Sequence, residues 1–168
     1  RAGALGPEVG SALKAQRGQD AASLKAFSDQ VVQGWLQAGE NRKTLVFADN
    51  LTEMRALEAA FADRGIGVRV MHSEQGDAAN RTAESDYKEN PDVRALVSVG
   101  MIGEGFNAKH TGCVVVANGC PTRAAYAQMI GRATRVDGVR SDGIVLDFSA
   151  ATRVWGRMEE QIELQDRH

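Results

Sequence analysis

Cysteine, proline and aromatic side chains are scarce in this chain, and it has no long apolar run and no marked excess of charge. Its 168 residues include two cysteines and three prolines, with aromatics at 5%. Cys113 and Cys120 lack the spacing of a zinc site, and His110 three residues before Cys113 adds only a lone His-x-x-Cys. Both thiols are therefore expected to be reduced and structural, one in a strand and one in a loop, with the cytoplasm as the default compartment. No apolar stretch approaches the ~20 residues that cross a bilayer, so no membrane partner is expected. The 20 basic and 22 acidic residues leave a net charge of −2, which excludes holding nucleic acid by bulk electrostatics. The chain starts at Arg1 rather than Met, and is expected to be a piece of something longer.

What is present is the composition of a globular α/β domain, 43% hydrophobic and 25% charged. Charge is unevenly placed. Glu74, Asp77, Glu84, Asp86, Glu89 and Asp92 face only Arg81 and Lys88, whereas Arg123, Arg132, Arg135 and Arg140 face only Asp137. An anion site belongs in the second stretch.

After an Ala- and Gly-rich lead-in, Leu24, Phe27, Val31, Trp35 and Ala38 recur at helical spacing, predicting a helix over 20–38 stopped by Gly39. Trp35 and Trp155 both fall at apolar helical positions, where packing explains them better than base stacking. Thr44 to Ala48 reads as a buried strand. Asn50 with Glu53 makes a capping-box-like start to a helix burying Leu51, Met54, Leu57, Ala60 and Phe61. Strands follow at 68–71, 93–99, 113–117 and 143–147, with a polar helix at 77–89 ended by Asn90-Pro91 and a closing helix at 150–164. Near-continuous apolar strands alternating with helices predict a parallel β-sheet sandwiched between helices. Three units are expected: a lead-in over 1–30, the α/β domain over 31–148 and a helical extension over 149–168.

Ligands meet such sheets at the carboxyl ends of the strands. Those ends are Asp49-Asn50, His72-Ser73, Gly100 to Asn107 and Asn118 to Thr122, all polar or glycine-rich. Gly103 and Gly105 let the backbone come close to a phosphate or another chain. Gly103-x-Gly105 after a strand also opens a dinucleotide reading. Against it, position 108 is Ala, and a new strand begins where the phosphate-facing helix should be.

Tyr126-Ala-Gln-Met-Ile-Gly-Arg-Ala-Thr-Arg135 divides into two faces as a helix. Tyr126, Met129, Ile130 and Ala133 form an apolar side. Gln128, Arg132 and Arg135 form a stripe opposite, with no acid three or four residues from either arginine. Gly131 removes the side chain beside Arg132, so another surface can approach. Two guanidiniums and an amide there suit phosphate oxygens.

Gln128-x-x-Gly131-Arg132-x-x-Arg135 resembles motif VI of superfamily 2 helicases and translocases, matching Q-x-x-G-R-x-x-R at every fixed position. Ser98 to Asn107 resembles their motif V, with Asn107 where the family has an acid and Val99 near the place of its threonine. Thr44 to Phe61 resembles motif IV and its helix. Asn118-Gly-Cys-Pro-Thr122 and Gly143 to Asp147 match a loop and the final strand of restriction-type and phage-type members. The likeness runs from about Val31 to Phe148 and implies the C-terminal RecA-like domain.

The phosphate loop of such motors, G-x-x-x-x-G-K-[ST], is absent. Gly34 and Gly39 have the spacing, but Glu40 replaces the lysine. Asp147 lies after motif VI, where sheet packing suits it better than Mg²⁺ binding. The resemblance therefore implies a domain that cannot hydrolyse ATP alone. A partner N-terminal RecA-like domain of the same polypeptide would hold ATP with Mg²⁺. It further implies Arg132 and Arg135 as arginine fingers with Gln128 beside them, and Gly103, Gly105 and Asn107 towards the nucleotide. Asp49, Asn50, Ser73 and Ser98 would contact one strand of DNA (or RNA). A RecA-like binding or remodelling module without motor function would have the same fold, and Asn107 suits it.

Overall fold

The computed structural model describes residues 21–100, 111–117 and 143–148. Their elements run α1 (Ala21–Ala38), β1 (Thr44–Phe47), α2 (Leu51–Asp63), β2 (Gly67–Met71), a 3₁₀ turn (Ser73–Gln75), α3 (Asp77–Glu89), β3 (Val93–Ser98), β4 (Cys113–Val116) and β5 (Ile144–Asp147). The five strands form one sheet in the order β2-β3-β1-β4-β5, and every neighbouring pair is parallel. The fold is α/β, as the strand and helix alternation predicted.

Residues in register share a face of a parallel ladder, which assigns each helix to a side. Val46, Val97, Val115 and Leu146 face one way and pack with Val31, Val32 and Trp35 of α1 and Met54, Leu57 and Phe61 of α2. The Trp35 and Phe61 rings meet edge to face, with centroids 5.7 Å apart. Each of these large apolar side chains contributes about 1.5–3 kcal/mol by leaving water. Arg69 faces the other way, and its Nε reaches the Asp86 carboxylate of α3 at 3.1 Å. That side of β2 and β3 carries α3.

Differences from the predicted elements are local and have physical causes. The stripe of α1 that is buried is Leu24, Ser28, Val31, Val32 and Trp35, while Phe27 is half-buried. The expected boundary at residue 31 falls inside α1, which is one continuous helix. β2 begins at Gly67, where the register slips against β3. A Cβ there would stand 2.1 Å from the Asp92 carbonyl oxygen, so the crossing of the two chains needs glycine. Asp147 and Cys113 are both fully buried. The expected helices at 126–135 and 150–164 lie outside the described residues.

Candidate nucleic-acid and nucleotide interface at the carboxyl edge

Met71, Ser98, Phe47, Val116 and Asp147 stand side by side in one row that closes all five strands. The ladder continues one step further, through Ala48 N–H to Ser98 O at 2.9 Å, Val99 N–H to Met71 O at 3.1 Å and Ala117 N–H to Phe47 O at 3.1 Å. Every strand therefore releases its chain at the same edge. The polar residues that follow β1 and β2 are brought to that edge by backbone pairing.

After β1 the chain turns through half-buried Asp49 and exposed Asn50. Asn50 is extended, and its Oδ1 accepts the Glu53 N–H at 2.8 Å. This cap contributes about 1 kcal/mol to α2 and also fixes the amide, leaving its Nδ2 at the surface. The capping half of the predicted box is therefore present.

Ser73, just beyond β2, is exposed and opens the 3₁₀ turn. Ser98 differs from the other three predicted contacts. It is 1% exposed, and its Oγ has no hydrogen-bond partner among the described residues. The arrangement thus gathers Asp49, Asn50 and Ser73 at the rim, with Ser98 beneath them in the sheet. Gly103, Gly105, Asn107, Gln128, Arg132 and Arg135 lie outside the described residues.

Two residues at this edge, Gln75 and Asn80, escaped the sequence reading, and His72 was read only as part of a strand end. His72 is 7% exposed and Asn80 5% exposed. The Asn80 side chain holds both backbone groups of His72, taking its N–H at 3.2 Å and donating to its carbonyl at 2.9 Å. Gln75 Nε2 donates to Val70 O and to Asn80 Oδ1, each at 2.9 Å. The helix 77–89 was read simply as polar. Yet Asn80, Ala83 and Tyr87 fall at steps of three and four, which is the signal that would have marked Asn80 as inward-facing.

The helicase conserved C-terminal domain model matches residues 24–137. The chain belongs to that family. A putative mitochondrial ATP-dependent helicase, irc3 of Schizosaccharomyces pombe, is 29% identical over 136 residues, covering 80% of this chain and 22% of that protein. The chain thus spans about a fifth of the length of this curated relative. Two solved structures share the fold. The C-terminal part of the Fun30 ATPase domain aligns with a TM-score of 0.64 at 13% identity, over 77% of this chain and 44% of that one. The structure of T4 UvsW aligns at 0.61 and 18%, over 82% and 27%. The parallel five-stranded sheet of this helicase C-terminal domain is RecA-like.

Proposed function

We propose that this chain is the second motor domain of an ATP-dependent superfamily 2 helicase or translocase. The observation that carries the proposal is a complete Gln128-x-x-Gly131-Arg132-x-x-Arg135 inside the span matched by the helicase conserved C-terminal domain. The chain has no phosphate loop of its own. ATP with Mg²⁺ would be held mainly by an N-terminal RecA-like domain of the same polypeptide, and would supply the triphosphate whose charge grows during transfer.

The donor set fits that group. Arg132 and Arg135 offer planar, permanently charged forks that match phosphate oxygens and gain strength as negative charge develops. Gln128 would donate to the same oxygens and support the domain contact. Gly103 and Gly105 let the backbone come close, and Asn107 keeps hydrogen-bonding ability towards a ribose hydroxyl without a charge. At the rim, Asn50 Nδ2 and the Ser73 hydroxyl can donate to the backbone phosphates of DNA (or RNA). Asp49 can only accept, so it would orient a donor rather than take a phosphate. Ser98 lies under this rim and would act on the same strand only through the segment that follows it. Closure of the two domains on ATP and opening after hydrolysis would move the strand across this edge.

The test is ATP hydrolysis by the full-length protein with single-stranded DNA or RNA oligonucleotides. Turnover stimulated roughly tenfold or more by one of them is expected. Absence of any nucleic-acid-stimulated hydrolysis would overturn the motor reading in favour of a non-catalytic binding module.

A further inference from the structure

Among the described residues β2 is an edge strand of the sheet, so half of its backbone groups have no strand partner there. Met71 O takes the Val99 N–H and therefore points inwards, towards β3. In a strand, successive residues direct their peptide groups to opposite sides. The Val70 carbonyl and both groups of His72 thus point outwards, to the open edge. All three are taken by side-chain amides. Gln75 Nε2 donates to Val70 O at 2.9 Å. The Asn80 carboxamide pairs with His72 as a neighbouring peptide would, accepting from its N–H at 3.2 Å and donating to its carbonyl at 2.9 Å. Gln75 and Asn80 are joined at 2.9 Å, and the Gln75 N–H returns to His72 O at 3.2 Å.

This arrangement replaces a missing strand over the last residues of β2. It also fixes the chain where the edge becomes surface. His72 is extended, with φ −159° and ψ 160°, and Gly76 leaves the turn at φ 88°. Between these points the chain has only the 3₁₀ turn Ser73–Gln75. Without the two amides, nothing among the described residues ties its outer side to the sheet.

We propose that Asn80, with Gln75, is a positioning residue for nucleic-acid binding, holding the turn so that the Ser73 hydroxyl points at the strand. The inference rests on the functional reading above, but concerns a buried residue of α3 that touches no ligand. A purely structural asparagine would affect stability alone. A positioning asparagine is coupled to Ser73.

A double-mutant cycle in the full-length protein separates the two. Binding of a fluorescent single-stranded oligonucleotide is titrated with wild type, Asn80→Ala, Ser73→Ala and the double variant, and urea midpoints are recorded for each. Asn80→Ala is expected to weaken binding about tenfold and Ser73→Ala about threefold, and the double variant is expected to be no weaker than Asn80→Ala. If Asn80→Ala does not fold, Gln75→Ala takes its place in the same cycle. Multiplying effects, or binding unchanged by either amide variant, would overturn the proposal. If the wild-type protein binds no oligonucleotide, the functional reading itself fails and takes this inference with it. A wild type that binds, with a cycle that multiplies, sinks only the positioning role.

Discussion

The two edges of the sheet are built differently. At the amino edge, polar groups are tied back into the protein. Lys43 Nζ donates to three carbonyls, those of Tyr87, Asn90 (2.7 Å) and Val93 (2.6 Å), and lies 5.3 Å from the Tyr87 ring centre. It thereby joins β1 to the end of α3 and the start of β3. Arg94 donates to the Asn41 and Pro91 carbonyls through its terminal nitrogens, while its buried Nε has no partner among the described residues. Arg42 pairs with Glu40 at 2.8 Å and reaches the Gly112 carbonyl. The Tyr87 hydroxyl meets Thr111 Oγ1 at 2.7 Å. At the carboxyl edge, Asn50 and Ser73 are exposed, and the buried Ser98 Oγ and His72 Nδ1 have no partner among the described residues. Side chains at the amino edge serve the fold, whereas the carboxyl edge, besides the fold-holding amides of Asn50, Gln75 and Asn80, also presents exposed groups able to bind. Substitutions at the amino edge should therefore lower stability without changing oligonucleotide affinity, and those of exposed carboxyl-edge residues such as Ser73 should change affinity with little effect on stability.

The largest effect is expected at Lys43. Lys43→Met keeps the aliphatic stem but leaves three carbonyls without their donor, costing about 3 kcal/mol in urea denaturation. Oligonucleotide affinity should stay within about twofold of wild type. A comparable loss of affinity would erase the contrast between the edges.

Cys113 gives a pH-dependent version of the same test. Burial pushes its thiol from 9.0 up to about 11. The folded state therefore resists the thiolate that the unfolded chain forms freely. The resulting stability is fully present below pH 9 and is lost as pH rises towards 11, by about 2 to 3 kcal/mol. Cys113→Ala should remove that part of the pH slope between 9 and 11.

A smaller effect is expected at the buried bond from Trp35 Nε1 to Thr44 Oγ1, 2.6 Å long. Trp35→Phe should cost about 1 to 2 kcal/mol and leave binding alone.

Smallest is Glu74, exposed beside Ser73. Removing its charge in Glu74→Gln should tighten oligonucleotide binding by about two- to threefold at low salt, with the urea midpoint unmoved. Unchanged affinity there would argue that no phosphate passes this turn.

Much of the fold could be read in the sequence because its signals are local. The apolar runs at Thr44, Val93 and Cys113 are buried strands, and Asn50 three residues before Glu53 marks the start of α2. Trp35 is packed, as its spacing indicated. Strand order was not legible, since it depends on which crossover passes over which strand and no single residue encodes it. The roles of Asn80 and Gln75 were hidden for a related reason. A buried amide in a polar helix looks like surface until the free edge of β2 is known to lie beside it. Ser98 shows the converse. Its place in a motif suggested a contact, but register with Met71 and Phe47 sets its side chain within the sheet. The motif residues Gln128, Arg132 and Arg135 were legible as chemistry, a pair of guanidiniums with no acid three or four residues away.

The most direct measurement is steady-state ATP turnover, at saturating oligonucleotide, of the full-length protein carrying Arg135→Ala, alongside its thermal melt. A drop of about 10³-fold or more, with the melting temperature held within a few degrees, is the predicted result for a residue that stabilises the transferring phosphoryl group. Near-normal turnover from a folded Arg135→Ala protein would contradict it.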